Sequence, residues 1–192
     1  MKKITFSLLL AFAVSMPVQA AWTLNGDEST LSFISTKAVN VAEVHQFTTL
    51  TGSVSSSGDV QISIALASVD TAIEIRDDRM QEMLFETDTY ASADLMAQVD
   101  MDALEGMSDG DSMTMAVEGE LSLHGEAIPL TFAVVVARVA DGGLLVASQK
   151  PVVVNAPLFN LAEGIERLRE VAGLPSISVA VPVSFVLSFD AQ

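Results

Sequence analysis

The sequence predicts an all-β fold, a closed or nearly closed antiparallel barrel carrying two short helices. Three observations lead there. Apolar residues recur at every second position through most of the chain, the period of a half-buried strand. Gly-, Asp- and Ser-rich turn signals separate these runs at close spacing. Only two segments switch to helical spacing. Closure follows because an open sheet of this length would expose edges, and the chain has no cysteine with which to brace one.

The elements follow in chain order. Trp22 and Leu24 alternate, Asp27-Glu28-Ser29 reads as a turn, and Leu31 and Phe33 resume the alternation. Val44 to Val54 forms the next strand, with Gly52 placed to make a bulge. After the turn Ser57-Gly58-Asp59, Val60, Ile62, Ile64 and Leu66 alternate. Asp77 to Phe85 carries Met80, Met83 and Leu84 at helical spacing, with Asp77 or Asp78 able to cap its start. Leu95 to Met101 alternates again before a polar turn at 106–111. Met113 to Leu123 and Ile128 to Val136 form a long hairpin, with Gly125 supplying the positive φ of its turn. Gly142-Gly143 separates Val139 from Leu144-Leu145-Val146. Leu161, Ile165, Leu168 and Ala172 share one face of a second helix, which Gly173 stops and Pro175 confirms. Ile177 to Phe189 alternates to the end, and Pro182 demands an edge, a bulge or a bend.

Residues 1–20 have the layout of a secretory signal peptide: Lys2 and Lys3, an apolar run from Leu8 to Val14, then Pro17 and Val18-Gln19-Ala20. Cleavage there leaves one domain over 21–192, and the expected location is the periplasm. The formal net charge of −16 excludes nucleic acid as a partner, because that binding neutralises phosphates with Lys and Arg. It also disfavours anionic lipid surfaces. The zero cysteine count removes disulfides, thiolate metal sites and cysteine nucleophiles.

Signatures of catalysis are absent. There is no phosphate-binding Gly-rich loop, no GxSxG and no HExxH. His124 falls in a hairpin turn, where a solvated or turn-bonding imidazole is expected. His45 lies at a strand end, either orienting a ligand head group at the barrel mouth or standing on the surface. The acidic stretch from Asp100 to Asp111 does not match a calcium loop and reads as a solvated turn. The methionines, Met80 and Met96 among them, read as adaptable lining or core. Neither a metal nor a resident cofactor is expected.

Several short motifs resemble the YceI-like family. Trp22-Thr23-Leu24 with Ser29-Thr30-Leu31-Ser32-Phe33 is similar to its opening pattern, and Lys37 followed by Val44-His45-Gln46-Phe47 and Gly52 to its second. Ser68-Val69-Asp70-Thr71 with Arg76-Asp77-Asp78-Arg79-Met80 and Phe85 resembles its "S-h-x-T…R-D-x-h-L…F". Gly119 to Gly125 resembles its "G-x-L-T-h-H-G". Asn155 to Asn160 departs from the family's "R-x-D-F-G", lacking its Arg and its Gly. The resemblance implies a lipocalin-like barrel holding a long isoprenoid, a polyprenyl lipid or an isoprenoid quinone, with no catalysis.

On that reading Phe33, Leu84, Phe85, Leu121, Phe132 and Phe185 line the cavity, with Phe47 beside His45; the same side chains would equally fill a solid core. Arg76 and Arg79 contact an anionic head group, or instead pair with Asp77, Asp78 or more distant acids. The competing readings are an interaction scaffold for a membrane redox protein and, third, a hydrolase using His45 or His124. The oligomeric state stays open, a homodimer included.

Overall fold

The computed structural model describes residues 20–192. The signal-peptide expectation therefore lies outside the described residues, except for Ala20, which opens the first strand. The strands are β1 (Ala20–Lys37), β2 (Val41–Phe47), β3 (Leu50–Ser55), β4 (Asp59–Ala65), β5 (Val69–Asp70), β6 (Ser92–Gln98), β7 (Ser112–Leu123), β8 (Glu126–Arg138), β9 (Leu144–Ser148), β10 (Val152–Asn155) and β11 (Ala180–Ala191). The helices are α1 (Glu74–Arg79), α2 (Met101–Glu105) and α3 (Ala162–Val171). The ring runs β1-β3-β4-β6-β7-β8-β9-β11 and returns to β1, so eight antiparallel strands close a lipocalin-like barrel. The upper half of β1 adds β2 and β5, and β10 flanks β11.

Asp27-Glu28-Ser29 is not a turn. It sits in a bulge within one long strand: from Asn25 to Thr30, β1 advances five residues while β11 advances two, from Ser188 to Val186. The odd excess exchanges the two faces of the strand. The inward set therefore changes from Trp22 and Leu24 to Leu31 and Phe33, all buried. Ser29 ties the bulge down, donating to the Asn25 carbonyl (2.7 Å) and accepting from the Ser188 N–H (3.0 Å).

The single strand expected over 44–54 is likewise two, β2 and β3, both paired with β1. At the break, the N–H groups of Thr48 and Thr49 donate to the carbonyl and hydroxyl of Ser68. Gly52 makes no bulge, since its ladder to β4 is regular. A Cβ there would stand 2.6 Å from the Gln61 carbonyl oxygen and from Ile62 Cδ1, so the glycine serves close approach.

The β7–β8 hairpin forms as read, with His124 (φ 50°) and Gly125 (φ 83°) as its two-residue turn. β6 ends at Gln98, short of the expected Met101, because Asp100 accepts from the N–H groups of Asp102 and Ala103 and starts α2. Leu104, 3% exposed, plugs the floor of the barrel from that helix. Two aspartates of this stretch are held in local turns, Asp100 at the start of α2 and Asp111 accepting from the Ser108 N–H (2.8 Å).

The first predicted helix begins at Glu74, before the expected cap. Asp77 accepts from the N–H and hydroxyl of Thr71 rather than from its own first turn. After Arg79 the helix widens into a π-helical turn, Met80–Phe85, which buries Met80, Leu84 and Phe85 together. α3 lies against this turn, and a Cβ on its Gly164 would meet the Met83 oxygen at 2.7 Å and Leu84 Cα at 2.8 Å. Gly173 (φ 63°) ends α3, and the Leu174 N–H closes back on the Arg169 carbonyl.

Pro182 sits opposite Val153 of the edge strand β10. Followed upward from Trp22↔Ala191, the β1–β11 ladder stops one residue short of Pro182, at Phe33↔Val183, and only the isolated bridge Lys37↔Ile177 lies beyond.

Gly→Ala inside a helix ordinarily stabilises by up to about 1 kcal/mol. At Gly164 the sign reverses: Gly164→Ala destabilises by about 1–3 kcal/mol, the cost of overpacking a tight contact. Urea denaturation followed by circular dichroism reads this, and an unchanged or raised midpoint would contradict the close packing.

Candidate ligand cavity

Alternation on a closed ring sends one face of every strand to the axis. The axis is not filled solid. A lower chamber of about 80 Å³ is walled only by apolar side chains, with Ile62, Leu95, Val134 and Leu187 around it and Leu104 beneath. Above it a middle chamber of about 140 Å³ is equally apolar, walled by Leu31, Ile64, Leu66, Leu121 and Val183 and roofed by Met80, Leu84, Phe85 and Ile165. Wall positions on β11 run from Val181 to Phe189. At about 3.3 Å per residue and a tilt near 40°, that gives about 20 Å along the axis.

The middle chamber passes into a mouth whose wall shares Phe33, Met80, Leu84, Ile165 and Val181 with it. Here the chemistry changes. Lys37, Glu43, His45, Arg76 and Arg79 stand among Ile73, Ile75, Leu168 and Ile177. The register explains the set: Phe33↔His45, Ser35↔Glu43 and Lys37↔Val41 are opposite pairs sharing one face of the β1–β2 ladder.

Glu43 is the hub of this belt. Lys37 Nζ lies 2.9 Å from its Oε1 and Arg76 Nη1 2.7 Å from its Oε2. Arg76 is fixed further by donating to the hydroxyl (2.8 Å) and carbonyl (2.6 Å) of Thr71. The hydrogen bond from Lys37, opposed by burial and aided by Arg76, holds the Glu43 carboxyl below its ordinary range. His45 is 5% exposed, with the edge of its ring against Phe33 at 5.4 Å between centroids. Burial, reinforced by the Arg76 charge, pushes its pKa down, so the imidazole is neutral. Its Nε2 is 3.8 Å from Glu43, and its Nδ1 has no hydrogen-bond partner. Arg79 has no acidic partner among the described residues.

All ten residues singled out from the sequence lie on this wall. Phe132 and Phe185 meet edge to face in the lower chamber. Phe33, Phe47, Leu84, Phe85 and Leu121 line the middle one, and His45, Arg76 and Arg79 the mouth. Of the two uses open to Arg76, the structure shows the ion pair with a distant acid. Glu43 was not singled out, although it has the parity of His45 and Phe47 on β2, and that was its signal.

Other expectations are corrected. His124 is not solvated: its side chain is 11% exposed and its ring packs on Tyr90 at 4.3 Å, both flanking residues of the turn being anchored in ladders. Met96 is neither lining nor core but 56% exposed, since it falls on the outward parity of β6. In the segment that departs from the family pattern, Phe159 is 1% exposed and Ala156 lines the middle chamber. Asn160 there adopts a left-handed conformation (φ 56°), which Asn tolerates second only to Gly.

No serine hydroxyl bonds either imidazole, and no group of three His, Asp or Glu could hold a metal, among the described residues. No described helix is long and apolar enough to cross a membrane.

Comparison with known proteins gives the following. A family model described as a YceI-like domain matches residues 22–189. A polyisoprenoid-binding domain from Saccharophagus degradans, implicated in plant cell wall breakdown, is 38% identical with a TM-score of 0.89, over 91% of this chain and 100% of that one. Burkholderia cenocepacia BcnA is 20% identical with a TM-score of 0.66, over 86% and 98%. A Campylobacter jejuni YCEI protein has the same fold at 13% identity and a TM-score of 0.55, over the full length of both. Among curated proteins none matches.

The depressed His45 pKa has a signed consequence. As pH falls below about 6.5, the unfolded chain takes up a proton at this position that the folded chain refuses, so stability declines with acidification. In His45→Leu this component is absent. Melting temperatures between pH 7.5 and 5 should fall more steeply for the wild type; parallel slopes would show that His45 is not held neutral.

Proposed function

This chain belongs to the YceI-like domain family, and from that premise we propose that it is a non-catalytic periplasmic carrier that holds a polyisoprenoid, either a prenyl lipid or an isoprenoid quinone, with its tail down the barrel axis. The observation that carries the reading is the sequence of environments along that axis: two chambers without a polar side chain, then a mouth where the polar groups are gathered. A tail entering the chambers gains about 0.8 kcal/mol per buried CH₂ without needing any hydrogen bond. A polar terminus has no partner below Phe33 and finds partners at the mouth. Arg79 offers an uncompensated charge, and neutral His45 carries a buried Nδ1 without a partner behind it.

The Saccharophagus degradans relative, described as polyisoprenoid-binding, supports the ligand class. The open axis favours a carrier over a scaffold, which has no use for chambers within its core. Neither imidazole has the nucleophile that a hydrolase requires.

Native mass spectrometry of protein from its own compartment, followed by solvent extraction, should show one prenyl lipid or quinone per chain. Leu121→Trp, which puts an indole into the middle chamber, should weaken uptake of a long polyprenyl lipid at least tenfold while far-ultraviolet circular dichroism stays that of a barrel. A wild-type protein at its bare mass that takes up no polyprenyl lipid from detergent would refute the carrier.

A further inference from the structure

The turn Ala38–Asn40, which joins β1 to β2, holds an anomaly. Ala38 (φ 48°) and Val39 (φ 72°) both have positive φ, and Val39 is β-branched and 74% exposed. A β-branched residue in this region is a true outlier; Gly or Asn would hold the turn without strain. The conformation is over-determined by neighbours. The N–H groups of Ala38 and Val39 donate to the Ser176 carbonyl (3.0 Å) and hydroxyl (3.3 Å), and Asn40 N–H to the Ala38 carbonyl (2.9 Å). The result is an isopropyl group fixed outward at the lip of the mouth.

It does not stand alone. Val41, opposite Lys37 and on the face of Glu43 and His45, is 46% exposed. Ile73 and Ile75, at the start of α1, are 50% and 56% exposed and line the mouth. The Glu43–Arg76 pair ties β2 to α1, so these four aliphatic side chains flank one opening, outside its polar belt. Charge is also distributed unevenly. Lys37, Arg76, Arg79, Arg167 and Arg169 all lie on the elements around the mouth, leaving Arg138 and Lys150 as the only other basic residues of the described chain. Eight acids stand on β2, α1, the π-helical turn and α3 beside these five cations, so the mouth is not cationic; it is the least acidic face of a chain of net charge −16, and Arg79 alone of the five has no acidic partner among the described residues to keep it from a phosphate.

We propose that this rim docks on the surface of a phospholipid bilayer, with Val39, Val41, Ile73 and Ile75 entering the boundary between head groups and acyl chains and Arg79 meeting a lipid phosphate. Docking shortens the wet part of a prenyl tail's path between leaflet and barrel to the polar belt of the mouth, where Leu168 and Ile177 still offer it apolar contact. This rests on the carrier reading in assigning the passenger, but the docking itself is measurable without one. Because the rest of the surface is acidic, the matching surface is zwitterionic.

Flotation with phosphatidylcholine–phosphatidylethanolamine vesicles tests it. Val39→Asn combined with Val41→Thr removes two apolar contacts from residues outside the chambers, and Asn suits the positive φ, so the variant folds. Its vesicle-bound fraction should drop about tenfold, with transfer of a polyprenyl lipid from vesicles slowed by a similar factor and uptake from detergent micelles unchanged. Val41→Trp should show a blue-shifted emission on adding vesicles. Wild type that loads from micelles yet never floats, or a double variant that floats like wild type, overturns the docking and leaves the carrier standing. Flotation that needs membrane proteins in the vesicles overturns it in favour of a protein partner. Flotation lost in the double variant, from a protein that loads no polyprenyl lipid at all, upholds the docking and refutes the carrier.

Discussion

The fold depends on one hydrogen-bonded seam, the pairing of β1 with β11. Without it the ring of eight strands would be an open sheet with two long edges, and no disulfide exists to hold it shut. The seam is made between the two ends of the chain, Trp22↔Ala191 at its foot and Phe33↔Val183 at its top, so the loop it closes spans nearly the whole domain. The chain concentrates interactions there. Trp22 is buried, donates its Nε1–H to the Gly142 carbonyl (2.9 Å), and has the Arg138 guanidinium over its ring at 5.4 Å. Ser29 locks the bulge that lets the long strand bend while keeping apolar residues on the axis.

From the closed ring follows the polarity of the cavity. The floor is shut by Leu104 from α2, and the top is partly roofed by α3 resting on the π-helical turn. Arg167 binds Glu86 (2.8 Å), joining α3 to the π-helical turn within the roof, and Asn160 binds Glu126 of β8 (2.7 Å), tying the roof to the barrel. The polar belt around Glu43 sits just inside the remaining opening. Glu43 is exposed enough to hold water, and its two cations keep it ionised; the neighbouring His45 is enclosed and stays neutral. Charge is confined to the rim, and the interior below it is featureless to a polar group.

The period of two made the barrel legible in the sequence, and the β7–β8 hairpin and α3 could be read nearly residue by residue. What failed were places where the chain changes phase. Residues 27–29 read as a turn because polar residues between alternating runs resemble one; the exchange of parity between Leu24 and Leu31 was the sign of a bulge. The break at Thr48–Thr49 carries the same sign, His45 and Phe47 being odd and Leu50 and Val54 even. Gly52 looked like a bulge, because a close approach depends on what lies opposite and sequence does not show that; the same holds for Gly164, whose contact with Met83 and Leu84 had no sign in the sequence. The apolar cavity residues followed from alternation, whereas Glu43 needed the pairing of β2 with Arg76, 33 residues away, to acquire meaning.

The early end of the β1–β11 ladder gives the barrel two mechanical regimes. Below Pro182 the seam is laddered on both sides of the Asn25–Thr30 bulge, and widening it there would break hydrogen bonds. Above it only the Lys37–Ile177 bridge and the bonds to Ser176 span the gap. The molecule is thus a stiff cup under a compliant collar. The collar can dilate to admit something bulky and recover its shape, while the cup keeps its bore and sets how long an occupant can be.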